Sequence, residues 1–155
     1  MKLIRLTTDG ACIRNPGPGG WAYVLRSDDR VCERKGSESN TTNNRMELRA
    51  VIEGLRALKE RCEVVVRTDS RYVKDGMTKW IHGWKASGWV HKESGKPGTQ
   101  PIKNRELWEE IDRLQHLHEV HWEWIKGHSH DEDNKRCDLL ANAAARSEIR
   151  LTNLG

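Results

Sequence analysis

Four carboxylates stand at positions from which a folded chain could bring them together, namely Asp9, Glu47, Asp69 and Asp138. Carboxylates gathered closely repel one another unless cations lie between them. Hard oxygen ligands suit Mg²⁺ or Mn²⁺, and two such ions about 3.5–4 Å apart can activate a water and stabilise the leaving oxygen in phosphodiester cleavage. The four acids are therefore candidate ligands of a hydrolytic metal site.

Each acid also has a purely structural explanation. Asp9 precedes Gly10, and this pair is common in turns, whereas Asn44-x-x-Glu47 fits a helix capping box. Asp69 could join Ser70 in capping a following short helix. Asp138 lies inside a predicted helix beside its apolar stripe, where an unpaired buried carboxylate would be costly. Taken singly, each acid is more often structural than catalytic, so the metal-site hypothesis depends on their convergence.

The elements that must position these acids alternate between strands and helices. Apolar periodicity and turn residues predict strands at 2–9, 21–26, 30–37, 63–69 and 119–125. Helices are predicted at about 44–60, 70–76, 78–85, from Asn104 onward and after a loop at 126–131. Asp9-Gly10 should end the first strand, 15–20 should be a loop, 88–100 should be irregular and the tail from about 147 should fray.

This order predicts an α/β fold within one domain of residues 1–155. Hairpin-linked strands followed by helical crossovers give a mixed five-stranded sheet, with three antiparallel-linked strands plus parallel strands, flanked by helices. If strands 2–9 and 63–69 are adjacent and parallel, Asp9 and Asp69 lie at the same sheet edge. Such edges are where α/β sheets place ligands.

Length and composition limit the class of protein. A chain of 155 residues with seven tryptophans can bury a sizeable core, which argues against disorder. No run approaches the roughly 18 apolar residues of a membrane helix, and Arg5 interrupts any signal-peptide core. We therefore expect a cytoplasmic protein with no membrane association. Its scattered cysteines, Cys12, Cys32, Cys62 and Cys137, should be reduced and mostly buried.

Positive charge is concentrated in one segment. Eight basic and two acidic residues between Arg71 and Arg105 give a net +6 there, against +4 for the whole chain. Trp80, Trp84 and Trp89 lie within this segment, and interleaved cations and aromatic rings suit a nucleic-acid backbone. A solvated basic face with inward-packed tryptophans explains the spacing equally well.

Several motifs occur in a specific order: TDGAC with NPGPGG, then TTNNRMEL, TDSRYV, WIKGH and NKRCDLLA. Together they closely resemble type 1 bacterial ribonuclease H, from about residue 2 to about 146. The resemblance implies a ribonuclease H-like fold. It also implies hydrolysis of the RNA strand of an RNA–DNA hybrid by two metal ions, leaving 5′-phosphate and 3′-hydroxyl ends.

The resemblance assigns Asp9, Glu47, Asp69 and Asp138 to the metal-binding catalytic acids of that family. Asp9 would bridge two Mg²⁺ ions, for which Mn²⁺ could substitute, with Glu47 and Asp69 on one ion and Asp138 on the other. Asp69 would also orient the attacking water. His128 matches a loop histidine that assists proton transfer or product release, a role suited to a pKa near 6.5. An exposed loop residue is the alternative for His128.

Substrate contacts carried over from the family fall on Cys12, Asn15, Thr42, Asn43, Asn44, Arg71, Trp80, Lys85, Lys92 and Lys96. The asparagines would lie in the minor groove, where 2′-hydroxyls distinguish RNA from DNA, although helix capping by Asn43 and Asn44 could hold at the same time. Thr42 would hold a DNA-strand phosphate and Trp80 would pack on DNA sugars. Residues 80–103 correspond to the family's basic handle, whose contacts should weaken with salt. We expect a monomer.

Two departures from the family pattern stand out. Arg71 replaces the usual glutamine, so the side chain can donate but not accept hydrogen bonds. His130 is displaced by one position and is followed by three acids, residues 131–133. These acids suit the positive end of the last helix or could attract cations.

Two other classes of protein remain open. A non-catalytic hybrid-binding module would use the handle and the asparagines, but it has no need of clustered acids in a phosphate groove. A different metal nuclease of the same fold, such as a resolvase or integrase core, would not need the handle or the TTNNRMEL stretch. Cleavage of a hybrid but not of duplex DNA separates these classes.

Overall fold

The computed structural model describes residues 1–126 and 130–154, with side chains described as far as Leu151. A five-stranded mixed sheet lies at its centre, in the order β3-β2-β1-β4-β7. Its strands are β1 Lys2–Cys12, β2 Gly17–Ser27, β3 Arg30–Thr41, β4 Cys62–Thr68 and β7 Glu119–Trp124. The first three pair antiparallel, and β1–β4 and β4–β7 pair parallel. The predicted α/β fold class and the adjacency of the first and fourth strands are confirmed.

The helical segments are α1 Asn43–Arg56, α2 Arg71–Asp75, a π-helical turn Gly76–Trp80, α3 Ile81–Ala86, α4 Arg105–Gln115 and α5 Glu132–Leu154. Two short strands, β5 Val90–Lys92 and β6 Thr99–Pro101, form a separate antiparallel hairpin. Among the described helices, none is both long and apolar enough to cross a membrane.

The main core lies between one face of the sheet and helices α1 and α4. Leu48, Val51 and Leu55 of α1 recur at helical spacing and pack with Leu6 of β1. Trp108 of α4 is completely buried in the same cluster. Burial of the side chains in this core removes apolar surface from water, which stabilises the fold.

Helix α5 covers the opposite face over β1, β2 and β3. Contact is close at Gly20, where a Cβ would lie 2.2 Å from the Ala141 carbonyl oxygen and 2.9 Å from the Ala144 side chain. A glycine opposite two alanines therefore lets the α5 backbone lie directly on β2. This contact holds the helix that carries Asp138 against the strand pair that carries Asp9.

Two boundaries near the N-terminus differ from the sequence predictions. β1 continues through Asp9-Gly10 to Cys12 because Gly10, Ala11 and Cys12 pair with β2. The predicted turn at Asp9-Gly10 is therefore wrong, and the predicted loop at 15–20 is wrong from Gly17 onward. Pairing with a distant strand decided both outcomes, and local turn chemistry could not reveal it.

The middle of the chain is more regular than predicted. Residues 71–86 form one continuous helical run with a π-helical turn, rather than two separate helices. The stretch 88–100 is not irregular throughout, since it contributes β5 and the beginning of β6. α1 ends at Arg56 rather than near 60. Helical backbone continues to Leu154, beyond the point at which fraying is predicted.

All four cysteines carry free thiols, as expected. Cys62 and Cys137 are buried and Cys12 is half-buried, whereas Cys32 on β3 is exposed. Cys32 is exposed because β3 is an edge strand of the sheet. The number and spacing of the cysteines do not reveal this position.

Candidate active site

The site begins where the parallel pairing of β1 and β4 ends. The last paired residues are Thr7 and Arg67. Asp9 lies two residues farther along β1, and Asp69 lies just beyond the end of β4. The sequence prediction that these two acids share one sheet edge is confirmed, although Asp9 stands within β1 rather than at its end.

Glu47 joins them because α1 crosses β1 at very short range. A Cβ on Gly10 would lie 2.4 Å from the Glu47 backbone nitrogen. The Gly10 N–H donates to Asp9 Oδ1 at 2.9 Å and to Glu47 Oε1 at 3.1 Å. The absence of a side chain at Gly10 thus allows two carboxylates to converge on one amide.

Asp9, Glu47 and Asp69 each offer a carboxylate oxygen, and these oxygens lie within 4.8 Å of one another. Asp9 and Glu47 are each only 4% exposed. Asp138 on α5 is exposed and lies outside this group, where its Oδ1 accepts a hydrogen bond from Asn142 Nδ2 at 3.2 Å. Its charge still raises the pKa of Asp9. Three of the four predicted acids therefore meet directly, and the fourth adds its negative charge from the neighbouring helix.

The group is electrostatically unfavourable on its own. Burial raises the pKa of Asp9 from 3.8 to about 7, and the charges of Asp69 and Asp138 act in the same direction against hydrogen bonds from Glu47 and Gly10. Burial, followed by the charge of Asp9, also raises the pKa of Glu47 well above its usual value. A cation placed among these groups would favour their ionised forms.

The donor set fits a hard divalent cation. All the candidate ligand atoms are carboxylate oxygens, which Mg²⁺ and Mn²⁺ prefer. Glu47 Oε2 is buried and has no hydrogen-bond partner, an arrangement that is costly without a ligand. This unpaired oxygen is a second observation that fits a cation at the cluster.

The N-terminus of α1 collects most of the predicted polar substrate residues. Thr42 caps the helix by accepting a hydrogen bond from the Arg45 N–H at 3.2 Å, so the predicted Asn44–Glu47 capping box is wrong. Asn15 Oδ1 accepts from the Asn43 N–H at 3.0 Å. Asn43 and Asn44 are half-buried at the first turn. These polar side chains form one rim beside the carboxylates.

Cys12 lies at the far end of β1. Its thiol lies 3.4 Å from the Thr41 carbonyl oxygen and 3.5 Å from that of Gly17. The side chain thus joins the ends of β1, β2 and β3 next to the capping residue Thr42. Cys12 is only half-buried there, as a residue bordering a groove would be.

Residues 80–103, the predicted basic handle, are joined to the core by contacts between tilted tryptophan rings. Trp80 is 42% exposed and contacts Trp84 at 5.9 Å between ring centroids, and Trp84 in turn contacts buried Trp108 at 5.0 Å. The interpretation of inward-packed tryptophans holds for Trp84, whereas Trp80 leaves part of its ring exposed and its contact with nucleic acid stays a prediction.

The three predicted handle lysines differ in their surroundings. Lys85 forms an ion pair with Asp112 of α4 at 3.2 Å, and Lys96 forms one with Glu93 at 2.9 Å. Lys92 lies on β5 and is exposed. Lys85 therefore also fixes the base of the handle, which its charge alone did not indicate.

Arg71 stacks over the Trp124 ring, with its guanidinium carbon 4.7 Å from the ring centroid. Such cation–π contacts use the face of arginine and leave its edges able to donate hydrogen bonds. Arg71 follows Ser70, which caps α2 by accepting from the Val73 N–H. This replacement of the family's glutamine thus has a structural partner at the end of β7.

Two of the three acids after His130 are paired with arginines. Asp131 pairs with Arg67, and Asp133 accepts two hydrogen bonds from Arg26 at 2.8 and 3.0 Å. The alternative that these acids attract cations is therefore not supported, whereas their position at the start of α5 fits the helix-terminus explanation. His130 is exposed, and His128 lies outside the described residues.

Arg67 is the residue that sequence reasoning missed. It is 6% exposed and stands inside the apolar run that forms β4, where an arginine is unexpected unless it is paired. This charged residue within an apolar strand is the sequence feature that could have identified Arg67.

Comparison with known proteins gives the family that the sequence motifs resemble. The RNase H family model matches residues 2–146. The Ribonuclease H of Solibacter usitatus is 51% identical over 97% of this chain and 99% of that protein. The Ribonuclease HI of Neisseria meningitidis serogroup A is 54% identical over 93% and 96%.

Solved structures agree in fold. LC9-RNase H1, a type 1 RNase H with the type 2 active-site motif, has a TM-score of 0.81 at 36% identity, covering 95% of this chain and 74% of that chain. LC11-RNase H1, solved in complex with an RNA/DNA hybrid, has a TM-score of 0.68 at 24% identity, covering 94% and 99%. The chain therefore belongs to the RNase H family. It is accordingly a metal-dependent nuclease, a hydrolase that cleaves the RNA strand of RNA–DNA hybrids.

Proposed function

We propose that the chain is an endoribonuclease that acts on RNA–DNA hybrids by a two-metal mechanism and leaves 5′-phosphate and 3′-hydroxyl ends. The observation that carries this proposal is the convergence of Asp9, Glu47 and Asp69 oxygens within 4.8 Å. The buried Glu47 Oε2, which lacks a hydrogen-bond partner, supports it. Repelling acids of this kind would be a disadvantage to a protein that only binds phosphates.

Asp9, Glu47, Asp69 and Asp138 would hold two Mg²⁺ ions, for which Mn²⁺ can substitute. Asp9 would be shared between the ions, Glu47 and Asp69 would bind one, and Asp138 would bind the other. When bound, such ions lower the pKa of a water and neutralise charge on the leaving oxygen. Asp69 accepts a hydrogen bond from the attacking water and so aims it. His128 carries a proton to or from the products, or aids their release.

Substrate recognition uses the rim beside the carboxylates. Asn15, Asn43, Asn44 and Cys12 face the minor groove of the hybrid, where amides can exchange hydrogen bonds with RNA 2′-hydroxyls. Thr42, through its place at the α1 N-terminus, holds a phosphate of the DNA strand.

The handle completes the binding surface. Trp80 packs on DNA sugars with its exposed face, Arg71 donates to a base edge, and Lys85, Lys92 and Lys96 contact phosphates. Arg71 is presented for this by its stacking on Trp124. We further propose that the protein acts as a monomer in the cytoplasm.

The deciding experiment is a cleavage assay on a labelled RNA–DNA hybrid with Mg²⁺, using Asp69→Asn and a matching DNA duplex as controls. We expect cleavage of the RNA strand alone, lost in the variant, with end-group analysis showing 5′-phosphates. Tight, salt-sensitive hybrid binding without cleavage would instead favour a binding module. Cleavage of duplex DNA would favour a different metal nuclease of the same fold.

A further inference from the structure

Arg67 occupies an unusual position for a charged residue. It is buried in the middle of the sheet, where its register partners are Thr7 on β1 and Glu123 on β7. Its Nη1 donates to Thr7 Oγ1 at 3.2 Å, and its Nε lies 3.6 Å from Glu123 Oε2. The guanidinium therefore spans all three strands that meet below the carboxylate cluster.

The two terminal nitrogens of Arg67 also donate hydrogen bonds to the start of α5. Nη1 donates to Asp131 Oδ1 at 3.3 Å, and Nη2 donates to Asp131 Oδ2. The bidentate pairing with Arg67 holds the pKa of Asp131 below its usual range. An ion pair of this geometry in a buried site is lost only at considerable cost.

Asp131 in turn begins α5. Its Oδ1 accepts a hydrogen bond from the Asn134 N–H at 2.9 Å, and its carbonyl oxygen accepts one from the Lys135 N–H at 3.1 Å. These are the contacts of a helix N-cap. The carboxylate that caps α5 is thus the same one that Arg67 binds, so the sheet fixes the first turn of the helix.

The helix is also held to the neighbouring strand β1, one residue before Asp138. The Cys137 thiol donates to the Thr7 carbonyl oxygen at 3.3 Å. Thr7 therefore contacts both Arg67 and α5. Together with the Arg26–Asp133 pair and the close contact at Gly20, these two contacts set the rotation and depth of α5, and with them the place of Asp138 relative to Asp9.

We propose that Arg67, acting through Asp131, is a positioning residue that sets Asp138 against the Asp9, Glu47 and Asp69 cluster. It touches neither substrate nor metal, and this inference depends on the proposed metal-binding role of the four acids. Removing the pair would loosen the first turn of α5, where the Arg26–Asp133 pair remains, and would widen the distance between Asp138 and the other three acids. The affinity of the metal that includes Asp138 would then fall, while the hybrid-binding rim on α1 and the handle would be unchanged.

The test compares Arg67→Met, Arg67→Lys and Asp131→Asn with the parent chain. Asp131→Asn keeps an oxygen able to cap α5 but removes the charge that Arg67 binds. Arg136→Gln is the matched control, because Arg136 also ties α5 to the sheet through an ion pair with Glu33 at 2.7 Å. That pair is exposed and lies away from the N-cap. Mg²⁺ and Mn²⁺ binding is measured by calorimetry without substrate, and kcat and KM are measured over a range of Mg²⁺ concentrations.

We expect Arg67→Met and Asp131→Asn to weaken metal binding by about tenfold, the low end of the range for lost supporting contacts at metal sites. The hybrid KM should stay within about twofold, Arg67→Lys should recover part of the loss, and Arg136→Gln should match the parent. If the variants lower thermal stability but leave metal affinity unchanged, Arg67 is merely structural and the inference is wrong. A parent chain that fails to cleave hybrids in Mg²⁺ would instead contradict the proposed function itself.

Discussion

Gly10 of β1 and Glu47 of α1 approach so closely that a Cβ on the glycine would lie 2.4 Å from the glutamate nitrogen. The same amide, Gly10 N–H, donates to the side chains of both Asp9 and Glu47. Packing between a strand and a helix thus sets the separation of two candidate metal ligands.

The first prediction follows from this contact. Gly10→Ala should displace α1 from β1, destabilise the protein by roughly 1–3 kcal/mol as overpacked cores do, and reduce cleavage sharply by separating Glu47 from Asp9. Urea unfolding and the hybrid assay measure both effects. Gly83→Ala is the control, because a Cβ there meets nothing within 4 Å and alanine favours helix. Full activity in Gly10→Ala would show that the spacing is not critical.

Asp9→Asn should abolish cleavage while hybrid binding survives, because asparagine keeps the shape but removes the charge needed to hold cations. Labelled-hybrid cleavage in Mg²⁺ and a binding titration measure the two properties separately. Asp28→Asn, in the tight turn between β2 and β3, is an isosteric control that should retain full activity. Substantial residual turnover in Asp9→Asn would remove this residue from the metal site.

The stability of the metal-free protein should depend on pH through Asp9. Its pKa is raised from 3.8 to about 7, so the folded state holds a proton that the unfolded state releases. The stabilisation is complete below pH 3.8 and is lost as the pH rises through about 7. Asp9→Asn should therefore gain stability relative to the parent as the pH rises from 3.8 to about 7, as measured by urea unfolding in chelator. A difference that does not change with pH would contradict the shifted pKa.

Replacing Lys85, Lys92 and Lys96 together by alanine should raise KM and flatten the salt dependence of hybrid binding by about one unit of slope for each lost phosphate contact. Lys85→Ala alone should produce part of the increase in KM, because it also removes the ion pair between the handle and Asp112 of α4. The control is the double variant Lys2→Ala and Lys59→Ala. Lys2 begins β1 and Lys59 precedes β4, so both lie at the sheet edge opposite the carboxylates. An unchanged salt slope in the triple variant would exclude the handle from the binding surface.

His128→Ala should slow turnover without eliminating it, because a proton carrier assists the reaction but does not hold the metal. Steady-state kinetics with product-release measurements test this, and the exposed neighbour His130→Ala should behave like the parent. Full activity in His128→Ala would leave that residue as an exposed loop position.

Short-range patterns in the sequence predicted the fold well where structure is locally determined. The helical stripe of Leu48, Val51 and Leu55 and the apolar run before Asp69 both gave elements close to those observed. The convergence of Asp9 and Asp69 followed from strand order alone. What local patterns could not supply was the extension of β1 past Asp9, which arises from pairing with residues of β2.

The site was less predictable where a side chain acts through a distant partner. Thr42 rather than Asn44 caps α1, because the backbone turns into the helix two residues earlier than the capping-box pattern indicates. Arg67 was overlooked because its partners Thr7 and Asp131 lie 60 and 64 residues away along the chain. Contacts of this length depend on the assembled sheet, and no local pattern encodes them.

The packing of α5 across β1, β2 and β3 has a consequence for biosynthesis. Those strands emerge first from the ribosome, yet the helix that covers their second face, with Ala141 and Ala144 against Gly20, emerges after every other element. A nascent chain that ends at β7 contains all five strands of the sheet with Asp9, Glu47 and Asp69, but it lacks Asp138 and the α5 residues that cover Ala22. In the proposed role of Asp138 as a metal ligand, burial of that face and completion of the metal site come in the same late step, and the unfinished chain presents apolar surface that chaperones can recognise.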